Sequence, residues 1–272
     1  MSIIADCHMH TSFSGDSEAP MEDMIERSIA LGLKEITITE HMDYDFIYTE
    51  DEEDGFFEVD TDAYRAKYLE CREKYADRIR VNFGIELGMQ MHINEKNSAY
   101  AKSFPFDFII GSSHLCNKKD PYLPSFWEGR DEKEGWHEYF ESIKDIVSSY
   151  DDFDTYGHLD YVLRYGPTRN KNFNLDEFRD DIDRILKTLI EKGKGIEANT
   201  SGYHYEMGGP HPCAGILKRY HELGGEILTI GSDAHKPEAV AAGFEDVRNL
   251  LLECGFERYC IFHERKPEFH RL

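Results

Sequence analysis

The sequence of 272 residues has no apolar run long enough to cross a bilayer, and its opening lacks the basic and apolar regions of a signal peptide. A cytoplasmic protein without a membrane partner is expected. Cysteine is sparse: Cys7, Cys71, Cys116, Cys213, Cys254 and Cys260 fall without Cys-x-x-Cys spacing. That argues against a disulfide framework or a zinc knuckle and leaves reduced packing or surface thiols. Basic charge is also in short supply, with 31 Lys and Arg against 54 Asp and Glu and a formal charge of −23. Such a surface repels a phosphodiester backbone, so long nucleic acid is not an expected partner. A small phosphorylated substrate can still be drawn to a cleft in which divalent cations reverse the local potential. No internal repeat, low-complexity tract or linker divides the chain, and a hydrophobic content of 40% suits a single domain over 1–272. Oligomeric state is not legible.

What is present is a recurring pattern of histidine and carboxylate. Asp6-Cys7-His8-Met9-His10 closes a short apolar run. On a strand, alternate side chains share a face, so Asp6, His8 and His10 can point one way while Cys7 and Met9 pack the other. Two neutral imidazoles on one face can bind one metal. The signal repeats where further β-prone runs end: Ile36 to Thr39 before Glu40-His41-Met42-Asp43, Val81 to Ile85 before Glu86, and Phe106 to Ile110 before Gly111-Ser112-Ser113-His114. It returns at Phe153 to Tyr156 before Gly157-His158-Leu159-Asp160, and at Ile227 to Ile230 before Gly231-Ser232-Asp233-Ala234-His235. Ionisable groups are costly to bury unpaired, so their position at the same end of six expected strands favours convergence on one metal site.

Helical periods lie between these strands. Phe178, Ile182, Ile185, Leu186, Leu189 and Ile190 form one stripe, and Met21, Met24, Ile25 and Ile29 another, with Pro20 at its start and Gly32 at its exit. Further helices are expected near 61–77, 134–150, 212–223 and 244–254, and a strand at 195–199. Seven or so alternations of strand and helix argue for a parallel α/β sheet closed into a barrel, with the site at the carboxyl ends of its strands. Two long connections, Asp43 to Asp60 and Leu115 to Gly135, follow ligand-bearing strands and are candidates for a rim or lid.

Taken in order, Asp6 to His10, Thr39-Glu40-His41, Gly84-Ile85-Glu86, Ser112-Ser113-His114, Gly157-His158-Leu159-Asp160 and Gly231 to His235 resemble the motifs of the polymerase and histidinol phosphatase (PHP) superfamily over nearly the whole chain. Thr11-Ser12-Phe13-Ser14-Gly15-Asp16, Asp43 and Arg164-Tyr165-Gly166 look most like its stand-alone histidinol-phosphate phosphatases. The resemblance implies a distorted (β/α)7 TIM-like barrel with three divalent metal ions. It assigns His8, His10, Glu86 and Asp233 to a first metal, Glu86 as a bridge with His114 and His158 to a second, and Asp16, His41 and His235 to a third. Many relatives have histidine where Asp16 stands. An oxygen-richer third site suits Zn, Mn or Fe and leaves the metal open.

Clustered divalent cations can bind phosphate oxygens, lower the pKa of water and absorb charge on the leaving oxygen, so a metal-activated hydroxide is the expected nucleophile. Arg164 is a candidate for bidentate phosphate binding and catalysis. Asp160 either orients His158 or protonates the leaving alkoxide. Asp43, Tyr44, Asp45, Phe46, Trp127 and the loop histidines His204 and His211 are candidates for contact with a cationic, imidazole-bearing substrate. The function implied is hydrolysis of L-histidinol phosphate in histidine biosynthesis. Phosphoesterase action on nucleotides or phosphotyrosine, or a metal-stabilised binding module, are the competing readings.

Overall fold

The structure is a computed structural model that describes residues 3–49, 53–205 and 207–272. Glu50, Asp51 and Glu52 of the first long connection lie outside the described residues. Seven parallel strands follow chain order across one sheet: β1 (Ala5–Asp6), β2 (Glu35–Met42), β3 (Arg80–Gly88), β4 (Phe108–Ser112), β5 (Thr155–Tyr156), β6 (Gly195–Asn199) and β7 (Leu228–Gly231). Closure comes from backbone bonds between the first and last strands and the residues beyond them. Cys7 N donates to Ile230 O at 3.0 Å, Asp233 N to His8 O at 2.8 Å and His10 N to Ala234 O at 2.9 Å. The result is the distorted (β/α)7 barrel. A parallel sheet covered on both faces demands strands buried throughout, and every residue of β2 is buried.

The helices are α1 (Met21–Ala30), α2 (Thr61–Lys74), α3 (Asn94–Ser103), α4 (Glu132–Ser149), α5 (Arg179–Glu191), α6 (Ala214–Glu222) and α7 (Phe244–Glu253). Local chemistry starts and stops them. Asp60 caps α2 by accepting from Ala63 N, and Asp131 with Glu134 forms a capping box on α4. Gly32, at φ +82°, ends the turn after α1. Along α5 the buried residues are Ile182, Ile185, Leu186 and Leu189, the stripe its sequence carries. No helix among the described residues is long and apolar enough to cross a membrane.

Two elements escape the periodicity argument. Helix α3 buries only Asn97, Tyr100 and Ala101, too few apolar residues to make a stripe. Strands β8 (Arg258–His263) and β9 (Lys266–Arg271) form an antiparallel hairpin whose turn residues Glu264 and Arg265 have φ of 48° and 65°. Such turns ordinarily carry Asn or Gly, so the usual hairpin signature is missing. This hairpin covers the amino end of the barrel: Tyr259 Oη accepts from Ile4 N at 2.9 Å, His263 Nε2 meets Glu35 at 2.8 Å, and Phe262 stacks on Phe108. One hydrophobic cluster runs from Ile3 to Phe262. The opposite, carboxyl end is left open for chemistry.

Candidate metal centre

Strand direction delivers the candidate ligands. His8 and His10 follow β1, His41 lies in β2, Glu86 in β3, His114 follows β4, His158 follows β5, and Asp233 and His235 follow β7. Their terminal atoms gather around Glu86. His8 Nε2 lies 3.4 Å from Glu86 Oε2 and 3.5 Å from Asp233 Oδ1, and His10 Nε2 lies 3.5 Å and 3.4 Å from the same two atoms. His8 Nε2 and His10 Nε2 are 3.1 Å apart. With metal–ligand bonds of about 2.0–2.1 Å, tetrahedral coordination sets ligand atoms roughly 3.3 Å from one another. The four groups fit one cation.

The other oxygen of Glu86 faces a second group: Oε1 is 2.9 Å from His158 Nε2 and 3.3 Å from His114 Nε2. A third lies beside it, with Asp16 Oδ2 3.0 Å from His235 Nε2 and 3.5 Å from His41 Nε2. The groups are not fully separate, since the His10 ring stacks between His41 at 4.1 Å and His235 at 4.2 Å, and His41 Nδ1 lies 3.0 Å from Glu86 Oε2. Buried Glu86 Oε2, His41 Nδ1 and His235 Nε2 lie within ion-pair distance of neighbouring groups of the cluster yet make no well-aligned hydrogen bond among the described residues. Buried polar atoms crowded together without aligned hydrogen bonds are what cation coordination would satisfy.

The surrounding residues prepare the imidazoles for that role. His8 Nδ1 meets Glu197 Oε1 at 2.6 Å, His114 Nδ1 meets Asp43 Oδ1 at 2.6 Å, and His235 Nδ1 donates to the Asp233 carbonyl at 3.0 Å. An Nδ1–H committed to an acceptor leaves Nε2 as a lone pair aimed inward. Burial, together with positive charge on His41 and His235, pushes His10 down to about 3, so it is held neutral. Burial lowers His114, but Asp43 and Glu86 outweigh it and carry it up to about 10. Burial raises Glu86, yet the His8, His114 and His41 imidazoles hold it well below the usual carboxylate range. The carboxylates therefore require positive charge beside them, as protons or as cations. Tight backbone approach is part of the construction: a Cβ on Gly231 would lie 2.3 Å from His8 Cβ, and one on Gly88 would lie 2.1 Å from Asp43 Oδ1.

Above the cluster a cavity of about 280 Å³ is lined by Asp16, His41, Asp43, Glu86, His114, His158, Asp233 and His235 below, and by Phe46, Thr49, Phe57, Asp120, Tyr122, Tyr161, Arg164, Tyr165 and Tyr205 around it. Both long connections contribute to its wall. Arg164 is buried, its Nη2 donates to Ser201 Oγ at 2.9 Å, and its guanidinium lies 3.9 Å from the Tyr205 ring centroid.

Not every candidate from the sequence reaches the cavity. Trp127 does not line it: its indole N–H donates to Pro121 O at 2.8 Å and its ring packs against Phe126. His204 is exposed outside it. Asp43 lines it, but its carboxylate is engaged with His114. Asp160 bonds to His211 Nδ1 and Cys213 N instead of His158, because its side chain points back toward α6. Tyr44 sits under Lys96, and Asp45 pairs with His92. Sequence reasoning passed over Glu197, which orients His8 and also accepts from His158 N at 3.1 Å; an acid within the strand Gly195–Asn199 was its only signal. It also passed over the tyrosine walls, which carry no spacing signature.

A thiol nucleophile is disfavoured. Cys213 and Arg219 stand in Cys-x5-Arg order, but Cys213 is the N-cap of helix α6 and Arg219 lies within that helix, burial pushes the Cys213 thiol up to about 12, and Arg219 pairs with Asp183.

Comparison with known proteins places the chain in a family. A family model described as PHP domain matches residues 6–201. A Clostridium acetobutylicum protein named "Probable histidinol-phosphatase" is 30% identical over 97% of this chain and 98% of its own length. A histidinol-phosphatase of Lactococcus lactis subsp. lactis is 29% identical over 96% of this chain and 95% of its own. The crystal structure of a histidinol phosphate phosphatase from Lactococcus lactis subsp. lactis, complexed with zinc, L-histidinol and phosphate, matches with a TM-score of 0.88 at 28% identity, covering 98% of this chain and 99% of that one. By motif order, barrel and family match together, the chain belongs to the PHP domain family.

Proposed function

We propose that this chain is a metal-dependent phosphomonoesterase that hydrolyses L-histidinol phosphate to L-histidinol and phosphate. The observation that carries the reading is the histidine and carboxylate floor of the cavity, closed on one side by a buried arginine, in a chain that matches a phosphatase holding zinc, L-histidinol and phosphate. Three divalent cations (Zn, Mn or Fe) are the cofactors in this reading. His8, His10, Glu86 and Asp233 would hold the first, Glu86 with His114 and His158 the second, and Asp16, His41 and His235 the third. When bound, such cations supply Lewis acidity toward phosphoryl oxygens and a lowered pKa for water in the cleft.

The chain's own groups bind and orient. Arg164 Nε has no partner among the described residues, and Nη2 is held by a neutral hydroxyl, so the guanidinium can give charge-assisted bonds to a phosphoryl group. Tyr122, Tyr161, Tyr165, Phe46 and Phe57 offer aromatic faces to an imidazole, and Asp120 offers a carboxylate to an ammonium group. Hydrolysis at phosphorus breaks the P–O bond to the alcohol and places the solvent oxygen in phosphate. Oxygen-18 from water is therefore expected in inorganic phosphate, and its appearance in histidinol instead would overturn that step.

The test compares kcat/KM of the metal-loaded protein for L-histidinol phosphate, a mononucleotide, phosphotyrosine and p-nitrophenyl phosphate. Preference for histidinol phosphate by several orders of magnitude is expected, because a site shaped for imidazole and ammonium rejects esters lacking them. Comparable slow rates on all four would sink the substrate and leave a general phosphoesterase. Arg164→Ala should lower kcat/KM by about 10²-fold.

A further inference from the structure

Asp160 and His211 form a buried pair that the reaction above does not use. His211 Nδ1 donates to Asp160 Oδ1 at 2.5 Å, with both side chains 1% exposed, and Asp160 Oδ2 accepts from Cys213 N at 2.8 Å. Neither residue lines the cavity, so neither touches substrate. Each is nevertheless tied to one of the segments that meet at Arg164. Asp160 begins the 3₁₀ turn Tyr161–Arg164, accepting from Leu163 N at 2.9 Å. His211 pairs its backbone with Asn199, N to O at 2.8 Å and O to N at 2.7 Å. Asn199 Oδ1 in turn accepts from Ser201 N at 3.0 Å and Ser201 Oγ at 2.6 Å. Arg164 Nη2 closes the circuit by donating to Ser201 Oγ at 2.9 Å.

These hydrogen bonds, with the turn Asp160–Arg164 between them, form a ring through Asp160, Arg164, Ser201, Asn199 and His211, and the Asp160–His211 bond is the side-chain link joining its two halves on the side away from Arg164 and Ser201. We propose that His211 is a positioning residue for phosphate: through Asp160 it clasps the turn carrying Arg164 against the segment carrying Ser201. A guanidinium fixed before the ligand arrives loses less freedom when it binds, so a phosphate monoester is held more tightly. This rests on the reading of Arg164 as the phosphate-binding arginine. The ring's polar connection runs through Nδ1, since His211 Nε2 has no partner among the described residues.

The experiment titrates metal-loaded protein calorimetrically with inorganic phosphate and, separately, with L-histidinol, and measures metal content. His211→Leu removes the donor; His211→Asn keeps an N–H near the position of Nδ1. Expected are phosphate binding weakened about tenfold or more in His211→Leu, unchanged metal content, unchanged histidinol affinity, and substantial recovery in His211→Asn. In an Arg164→Ala background, His211→Leu should weaken phosphate no further. Unchanged phosphate affinity, equal weakening of both ligands, or a persisting effect without Arg164 would overturn the clasp. Should His211→Leu fail to fold, Asp160→Asn, which keeps side-chain size but opposes an amide to one of the two donors, must produce the same phosphate-selective loss. Inorganic phosphate reports on Arg164 whatever ester the protein prefers, so failure of the histidinol phosphate assignment is read separately.

Discussion

Glu197→Gln is the most searching perturbation of the centre, because it keeps shape and changes only which atoms can accept. Glu197 Oε1 takes His8 Nδ1 at 2.6 Å, while Oε2 takes His158 N at 3.1 Å and Asn199 Nδ2 at 3.0 Å. Glutamine has one oxygen for these positions. With the oxygen toward His8, the amide NH2 opposes two donors, and buried unsatisfied groups cost about 1–3 kcal/mol each, so about 2–6 kcal/mol together. With the amide reversed, His158 N and Asn199 Nδ2 keep their acceptor and His8 must accept at Nδ1. Its proton then moves to Nε2, the nitrogen that faces Glu86, His10 and Asp233. Loss of an orienting carboxylate ordinarily costs 10–100-fold in metal affinity, or about 1.4–2.7 kcal/mol. The second cost is smaller, so the tautomer switch wins. Expected, then, are metal affinity at the first site lower by about 10–100-fold, a modest loss of thermal stability, and an Nε2–H tautomer for His8. Chelator competition and nitrogen-15 NMR of the histidines measure these. Wild-type affinity with Nδ1–H retained would refute the reasoning.

Gly231→Ala should lower the thermal midpoint and the bound metal together, because its Cβ would overlap His8 Cβ at 2.3 Å and Glu197 Oε1 at 2.6 Å; overpacking costs about 1–3 kcal/mol. Wild-type metal content in that variant would contradict the packing argument. Chelation should lower the thermal midpoint, and added metal should raise it with concentration, reaching about 2.7 kcal/mol per site at a hundredfold excess over Kd; a midpoint indifferent to metal would show that these groups are satisfied without it. Asp131→Ala removes the capping box of α4, so a loss of about 0.5–2 kcal/mol with unchanged kcat/KM is expected from denaturant unfolding and steady-state kinetics.

Much of the barrel was legible because its signals are local. Strand ends carrying His8, His41, Glu86, His114, His158 and Asp233 could be read from short β-prone runs, and α5 from one apolar stripe. Helix α3 and the β8–β9 hairpin were not legible, since the first has few apolar residues and the second turns on Glu264 and Arg265, which carry no turn signature.

The sequence by itself determined the order of the strands that carry the candidate ligands and the kinds of donor atom each presents, because alternation along a strand depends on neighbours only a few residues apart. Only the tertiary structure decided which carboxylate serves which imidazole. Glu197 faces His8 across 189 residues, Asp43 faces His114 across 71, and Asp160 faces His211 across 51. The reason is physical: an acid that orients a histidine and one that merely solvates a surface are the same residue type. Their difference lies in burial and in the partner that closure of the barrel brings within hydrogen-bond reach.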